Sequence, residues 1–268
     1  MNPVFNSATE PSRFYWMIAY RKNFLRIAEY WNSEEPTLAG VDLVRCFQQP
    51  QPRKGMHCRE FYTILLDLNL DADQLQRRFK RDTRYEIRRA EGQDRLNYEC
   101  RTGRDEEAFH RFCDYYDTFA IQKAQPKVNR AWLALLANEG ALTLSRVSDS
   151  TGETLVWHAY HRSPHRVTLF YSASLFRKFD SSTQRNKVGR ANRYHHWHDI
   201  QRFKGEGISI YDLGGWYQGD RDLERLRINK FKEEFGGEIV KNFICERALT
   251  TRAKLFLGMR RLLLGDAI

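Results

Sequence analysis

The stretch INKFKEEFGGE, residues 228 to 238, places Lys232 between two phenylalanines. At helical spacing Lys232 falls beside the apolar edge made by Ile228 and Phe235 rather than opposite it. One interpretation is a lysine whose aliphatic stem covers hydrophobic surface while its ammonium group stays in water. The other is a lysine that presents its charge to a bound reactant. Spacing alone favours the first interpretation, because exposed lysines are the rule.

A carboxylate occupies a second position that could do chemistry. Asp212 lies in YDLGG, at the predicted end of a strand and directly before two glycines. Glycines permit positive φ angles and let a ligand come close to the backbone. A carboxylate there could accept a proton during a reaction. It could equally cap its own turn by bonding to nearby backbone amides, and the sequence leaves both roles open.

Four arginines recur at helical spacing on a helix predicted over residues 72–91. Arg77, Arg81, Arg84 and Arg88 share the face opposite its apolar residues. Runs of charge usually face water. Arginines a turn apart on one face can also hold a diphosphate or follow a nucleic-acid backbone. We therefore consider a solvated surface and a phosphate-binding surface equally.

Composition limits the class of protein. The chain has 268 residues, a formal net charge of +10 and a pI near 9.4. A basic balance of this size is compatible with RNA, nucleotide phosphates or an anionic membrane surface as a partner. No window of the sequence approaches the roughly 18 apolar residues of a membrane span, so we expect no stable membrane insertion. The first 16 residues also lack the pattern of a signal peptide.

Cysteines and histidines give no sign of a metal or a disulfide framework. The five cysteines are odd in number and widely spaced, without CxxC, which favours free thiols in a reducing, cytoplasmic setting. HHWHD, residues 195–199, puts His195 and Asp199 one helical turn apart, but no HExxH pattern accompanies them. We expect core or hydrogen-bonded histidines and no metal.

The order of predicted elements indicates the fold. From residue 96 it runs strand, two helices, three strands, helix, strand, helix, strand, which matches the acetyltransferase-like fold called GNAT. We therefore predict an α/β (α+β) protein, with a GNAT-like mixed sheet flanked by helices. Residues 1–95 would form a shortened, partial GNAT-like region that ends in a basic helix. Residues 96–268 would form a GNAT-like acyltransferase domain with a C-terminal helix.

Four motifs make the resemblance more specific. They are TRYEIRRAE (83–91), YSAS (171–174), YDLGG (211–215) and FKEEFGGE (231–238). In this order they resemble motifs of the Fem family of peptidoglycan-bridge aminoacyltransferases. Members of that family transfer an amino acid from aminoacyl-tRNA to an amine on a cell-wall precursor. The chain departs from the family because its first GNAT-like region is short. The resemblance therefore does not carry the family's cell-wall acceptor over to this chain.

The resemblance assigns roles to individual residues. Phe231 would pack near the end of the aminoacyl-tRNA, and Lys232 would offer positive charge where the oxyanion of acyl transfer develops. Tyr171 and Ser172 would lie where GNAT proteins separate two strands and expose a backbone N–H to the acyl carbonyl. Asp212 would help to move the proton. A further set is assigned to phosphate or acceptor binding: Arg77, Arg81, Arg84, Arg88, Trp216 and Tyr217.

A phosphate-binding segment is predicted just before a helix over residues 188–204. In RNKVGRANR, residues 185–193, Gly189 is flanked by Arg185, Lys187 and Arg190. Acyl-CoA-dependent GNAT enzymes place their pyrophosphate loop here, and amides at a helix N-terminus bind phosphate whichever molecule carries it. We assign this segment to the donor without choosing between CoA and the end of a tRNA.

These observations predict a cytoplasmic N-acyltransferase. The favoured reaction transfers an aminoacyl group from aminoacyl-tRNA to an amine by direct attack, because no Cys–His or Ser–His pair is evident. No tightly bound cofactor is expected, and the co-substrate is aminoacyl-tRNA or acyl-CoA. One alternative is an acyl-CoA-dependent GNAT enzyme that acts on an amino sugar or a small metabolite. The second is a non-catalytic RNA-binding module. The oligomeric state stays open.

Overall fold

The computed structural model describes residues 17–31, 39–174 and 176–264, and within these ranges ten strands form one mixed sheet. The strands are β1 (Met17–Lys22), β2 (Leu25–Trp31), β3 (Leu43–Gln49), β4 (His57–Asp67), β5 (Asn97–Thr102), β6 (Leu142–Ser148), β7 (Thr154–Arg162), β8 (Arg166–Ser174), β9 (Ile210–Gly215) and β10 (Glu238–Ala248). The helices are α1 (Ala72–Arg78), α2 (Arg81–Gln93), α3 (Glu106–Gln122), α4 (Arg130–Asn138), α5 (Ser182–Gly205), α6 (Leu223–Glu233) and α7 (Thr251–Leu264).

The strand order is β1-β2-β3-β10-β4-β9-β8-β7-β6-β5. Strands β5 to β8 form an antiparallel meander, and β9 then runs parallel to β8. The last strand, β10, inserts between β3 and β4 and is antiparallel to both. The mixed sheet with flanking helices confirms the predicted fold class. The boundary at residue 95 stays a prediction, because strands from both sides of it share this sheet.

The sheet is strongly curved. Trp31 of β2 packs against His161 of β7, with ring centroids 4.3 Å apart, although five strands lie between β2 and β7 in the sheet. Trp132 of α4 stands beside them and donates its indole N–H to Glu29 of β2, at 2.9 Å. The curvature therefore brings the N-terminal strands back over the meander, and one hydrophobic cluster contains residues of both.

The predicted helix over residues 72–91 is two helices. Asp71 and Gln74 form a capping box that starts α1. The chain becomes extended at Phe79, whose φ and ψ are −68° and 143°, and helix resumes at Arg81. Phe79 is buried, and its ring meets Trp197 and Phe235 edge-on. Core packing of this one side chain thus outweighs the continuous helical pattern of the sequence.

Two further predictions need a limit or a correction. The first 16 residues, on which the absence of a signal peptide was argued, lie outside the described residues. Helix α5 begins at Ser182, six residues before the predicted start at 188. The segment 185–193 is therefore helix and not a loop.

The prediction that all cysteines are free is wrong. Cys58 of β4 and Cys245 of β10 are direct partners across the sheet and form a disulfide. Cys46, Cys100 and Cys113 are free thiols. The two bonded cysteines are 187 residues apart in sequence, so only the insertion of β10 beside β4 brings them together.

No helix in the described ranges is both long enough and apolar enough to cross a membrane.

The turn after α6 generates a stability prediction. Gly236 has φ of +68°, and a Cβ there would overlap the carbonyl oxygen of Arg78. We expect Gly236→Ala to lower the free energy of unfolding by about 2 kcal/mol or more, because a left-handed conformation alone costs a non-glycine residue about 1–2 kcal/mol. Gly205→Ala is the control, since Gly205 ends α5 in open space. Equal denaturant midpoints for the two variants would contradict the prediction.

Candidate active site

Strands β8 and β9 pair only at their beginnings. The register runs from Arg166 opposite Ile210 to Thr168 opposite Asp212, and it stops there although β8 continues to Ser174. A bulge follows at once in β8, because its pairing with β7 skips Phe170. Beyond this point the strands separate, as predicted for a GNAT-like fold. The separation opens a cavity of about 570 Å³, here called the splay cavity.

The splay cavity lies between the two separated strands and the helices α5 and α6. Ser172 and Ser174 of β8 line one wall, and Gly189 and His196 of α5 line another. Phe231 closes it from α6. Three predicted donor residues, Ser172, Gly189 and Phe231, therefore share one cavity.

A second cavity, of about 530 Å³, lies on the other side of α6. It is here called the aromatic cavity, after the four aromatic residues among those that line it: Phe61, Tyr62, Trp216 and Tyr217. Two residues of α6, Ile228 and Lys232, line both cavities. Lys232 thus stands where a molecule in one cavity can meet a molecule in the other.

Lys232 is held at this junction by a hydrogen bond. Its Nζ donates to the carbonyl oxygen of Gly215, at 2.6 Å. Burial lowers the pKa of Lys232 to about 8, and the negative charge of Asp212 opposes this shift. The group therefore changes charge near neutral pH, unlike an ordinary surface lysine. A partly buried, anchored ammonium differs from the snorkelling lysine that spacing alone favoured.

Asp212 is wholly buried and its carboxylate is fully engaged. Oδ2 accepts from the guanidinium of Arg166, at 2.6 and 3.1 Å. Oδ1 accepts from the Thr63 hydroxyl and from the backbone N–H of Gly214, the latter at 2.8 Å. A carboxylate with these partners is poorly placed to receive a proton from a ligand. The geometry corresponds instead to the turn-capping role that the sequence left open.

The two glycines after Asp212 complete the turn. Gly214 has φ of +75°, and a Cβ there would lie 2.6 Å from the carbonyl oxygen of Leu169 in β8. The Thr63 hydroxyl oxygen also lies 2.9 Å from the carbonyl oxygen of Gly214. The next carbonyl, that of Gly215, receives Lys232. In YDLGG the Asp212 carboxylate fixes the turn, and the backbone carbonyl of Gly215 then holds Lys232.

The cations predicted to bind the donor phosphate are engaged elsewhere. Arg185 donates to the carbonyls of residues 179 and 180, and Lys187 pairs with Asp149 at 3.3 Å. Arg190 is buried and makes a two-pronged ion pair with Asp94, at 2.6 and 2.9 Å. The described residues that line the splay cavity include none of these three. Because helix α5 starts at Ser182, these side chains point along its sides rather than from a loop.

Tyr171 lies on the other face of β8. Its ring packs against Tyr116 of α3, at 4.8 Å between centroids, and near Phe112, at 6.2 Å. Neither cavity includes Tyr171 among its described lining residues. With the bulge at Phe170, the rings of Phe170 and Tyr171 both pack against one core cluster, and the next residue, Ser172, lines the splay cavity.

The four arginines lie together, although the single helix predicted to carry them is two helices, with Arg77 on α1 and the other three on α2. Arg77, Arg81, Arg84 and Arg88 line one surface depression of about 460 Å³, here called the arginine depression. The described part of the chain offers none of these four guanidinium groups a hydrogen bond or an ion pair. Trp216 and Tyr217, which were grouped with them, line the aromatic cavity instead. The predicted phosphate and acceptor set therefore divides between two places.

Sequence reasoning missed Arg193 and His196. Arg193 pairs with Glu234 at 2.7 Å, and its guanidinium lies over the Phe231 ring at 5.2 Å. His196 is buried and still lines the splay cavity. Both lie on the face of α5 that packs toward α6. Residue spacing alone cannot identify that face, because it depends on how the two helices are arranged.

His158, His195 and Asp199 offer three buried ligand-type atoms within 4.8 Å of one another. The carboxylate already serves as a hydrogen-bond acceptor. Its Oδ2 accepts from the Tyr160 hydroxyl at 2.6 Å and contacts Nδ1 of His158 at 2.8 Å. This arrangement fits the hydrogen-bonded histidines expected from the sequence.

No protein-family model matches the sequence, and no curated protein matches it. Among solved structures the chain is similar to FemX, with a TM-score of 0.65 and 11% identity over 93% of this chain and 86% of that one. It is also similar to the C-terminal domain of a protein assigned as a lysylphosphatidylglycerol synthetase from Agrobacterium fabrum, with a TM-score of 0.58 and 12% identity over 94% and 86%. L-PGS from Bacillus licheniformis gives a TM-score of 0.54 and 10% identity over 91% and 84%. These similarities establish the fold, and the predicted Fem-like GNAT fold is confirmed.

The closed network of Asp212 generates a stability prediction. Asp212→Asn leaves the buried Arg166 guanidinium without its charge partner, so we expect a loss of about 3–5 kcal/mol in the free energy of unfolding. Glu60→Gln is the control, because it removes the partner of Lys241 in an exposed ion pair, and such pairs contribute little to stability. Denaturant unfolding at neutral pH measures both. Equal stability of the two variants would show that Asp212 does not organise the turn.

Proposed function

We propose that the chain is an N-acyltransferase that moves an aminoacyl group from aminoacyl-tRNA to an amine. The observation that carries the proposal is the position of Lys232, which lines two cavities at once. A transferase that works by direct attack must bring two substrates together at one point. The splay cavity would hold the acyl end of the donor, and the aromatic cavity would hold the acceptor.

The chemistry at the junction follows from its charges. The acceptor nitrogen attacks the acyl carbonyl carbon, and the carbonyl oxygen becomes an oxyanion. The ammonium of Lys232, already oriented by Gly215, stabilises this oxyanion. The bond to the tRNA oxygen then breaks and the amide remains. Asp212 acts by holding the Gly214–Gly215 turn and not as a proton acceptor.

Two observations support tRNA over CoA as the donor carrier. The cations expected to hold a CoA pyrophosphate, Arg185, Lys187 and Arg190, are bound to other groups. The arginine depression presents four guanidinium groups that could follow a phosphate backbone. The similarity to FemX and to lysylphosphatidylglycerol synthetases agrees with an aminoacyl donor. A cytoplasmic location rests on aminoacyl-tRNA as the donor, because the Cys58–Cys245 disulfide removes the argument from free thiols.

A transfer assay decides between the donors. The purified chain would be incubated with a mixture of labelled aminoacyl-tRNAs, or with labelled acetyl-CoA, and with a panel of primary amines. We expect labelled amide from the tRNA mixture, abolished by ribonuclease. Amide formed only from acetyl-CoA would establish the acyl-CoA alternative. Tight RNA binding without any transfer would establish the RNA-binding module.

Replacement of Lys232 tests its role. Lys232→Met keeps the aliphatic stem and removes the charge, so we expect a normal melting temperature and a loss of about a hundredfold to a thousandfold in kcat. Wild-type activity should also fall as the pH rises through about 8, because only the protonated lysine stabilises an oxyanion. Rates measured against pH would show both effects. Near-normal turnover of a folded Lys232→Met variant would remove the lysine from the mechanism.

Salt dependence tests the arginine depression. We expect Arg84→Ala with Arg88→Ala to weaken tRNA binding and to lower the salt slope of its affinity by about one for each lost phosphate contact. The matched control is Arg21→Ala with Arg247→Ala, which removes the same charge from exposed residues on β1 and β10. Binding isotherms at several salt concentrations give the slopes. Equal slopes for the two double variants would make the depression a solvated surface.

A further inference from the structure

A chain of buried hydrogen bonds leads away from the splay cavity. It begins at His196, whose Nδ1 lies 2.7 Å from the hydroxyl of Tyr211. That hydroxyl lies 2.6 Å from the hydroxyl of Tyr160, which donates to Oδ2 of Asp199 at 2.6 Å. All four residues are buried. The chain therefore connects a histidine at the cavity to a carboxylate deep in the protein.

The carboxylate sets the direction of every bond in this chain. A carboxylate oxygen accepts, so the Tyr160 proton points toward Oδ2 of Asp199. The Tyr160 oxygen must then accept from Tyr211, and the Tyr211 oxygen must accept from Nδ1 of His196. The neutral imidazole thus carries its proton on Nδ1. Its Nε2 keeps a free lone pair, and His196 lines the splay cavity.

The surroundings of His196 keep it neutral. Phe231 of α6 and Phe235 of the following turn pack on its ring at 5.6 and 5.0 Å, and the charge of Lys232 is near. His158 of β7 lies 4.4 Å away, and Arg193 adds a second positive charge. Burial and these charges hold the pKa of His196 well below its usual range. The ring is therefore neutral, and it readily gives up any proton that it accepts.

We propose that His196 presents an unprotonated Nε2 to the splay cavity as the proton acceptor of the transfer reaction. This inference rests on the proposed function, in which the carboxylate of Asp212 is too fully engaged to act as the base. The acceptor nitrogen forms its bond to the acyl carbon and becomes positively charged. It then gives a proton to Nε2 of His196. As the bond to the leaving oxygen breaks, the imidazolium returns that proton to the oxygen.

The hydrogen-bond chain gives Tyr211 and Tyr160 a positioning role. They fix the tautomer of His196 and orient its ring, as the partner of a catalytic histidine must. The hydrogen-bond chain also connects the imidazolium that forms to the carboxyl group of Asp199. Because both tyrosines lie behind the histidine, replacing either one changes the proton acceptor without changing the wall of the cavity.

The tautomer can be measured without any substrate. In ¹⁵N-histidine NMR spectra of the full chain, the His196→Gln variant identifies the His196 signals. We expect a protonated Nδ1 and an unprotonated Nε2 across neutral pH. Tyr211→Phe should lose this preference, and Tyr160→Phe should weaken it. A proton on Nε2 in the wild type, or a charged ring at neutral pH, would overturn the proposal.

Activity gives the second measurement. We expect His196→Gln to lower kcat by about a hundredfold to ten-thousandfold, the usual contribution of a general base. Tyr211→Phe and Tyr160→Phe should lower kcat less, with KM for the donor little changed. His198→Gln is the matched control. His198 lies on the same helix, and the described residues that line the splay cavity do not include it. We expect it to turn over normally.

The pH profile separates a base from a structural residue. Wild-type kcat should fall at acid pH as His196 becomes protonated, and the fall should disappear in the residual activity of His196→Gln. An unchanged acid limb in that variant, or normal turnover, would overturn the proposal. The protein could show the expected tautomer and transfer nothing from any donor. That result would overturn the proposed function and still support a base that faces the cavity.

Discussion

The buried ion pair between Asp212 and Arg166 is the constraint on which the site depends. Burying two charges is costly, and only close geometry with additional hydrogen bonds offsets that cost. Asp212 obtains these bonds from Thr63 and from the Gly214 amide, and Gln48 of β3 lies 3.4 Å from it. The network joins β3, β4, β8 and β9 at the point where β8 and β9 stop pairing. It therefore fixes where the sheet opens.

The opening of the sheet and the position of Lys232 have the same origin. The turn that Asp212 fixes presents the Gly215 carbonyl, and this carbonyl anchors the lysine between the splay cavity and the aromatic cavity. A preorganised cation stabilises a developing negative charge with little cost of reorganisation. In the same cavity, His196 is oriented by its own buried network. Both groups are therefore held from β9, His196 through Tyr211 and Lys232 through the Gly215 carbonyl.

Positive charge in this chain divides into engaged and unengaged groups. Arg190 is buried against Asp94, whereas Arg84 and Arg88 have no ion-pair partner among the described residues and line an open depression. In the sequence all three look alike, since each is an arginine in a basic segment. What separates them is the position of acidic groups far along the chain: Asp94 is 96 residues from Arg190. A formal net charge of +10 therefore overstates the charge available to a partner at any one place.

The sequence by itself determined the order of the elements from residue 96 onward, the GNAT-like fold, the shared helix face of Arg81, Arg84 and Arg88, and the FKEEFGGE and YDLGG motifs. These features follow from local periodicity and turn chemistry, which act over a few residues. Tertiary structure decided the rest. It placed β10 beside β4, so that Cys58 meets Cys245, and it broke one predicted helix at the buried Phe79. It also closed the network around Asp212 and directed His196 into a cavity, because these contacts join residues from separate strands and helices.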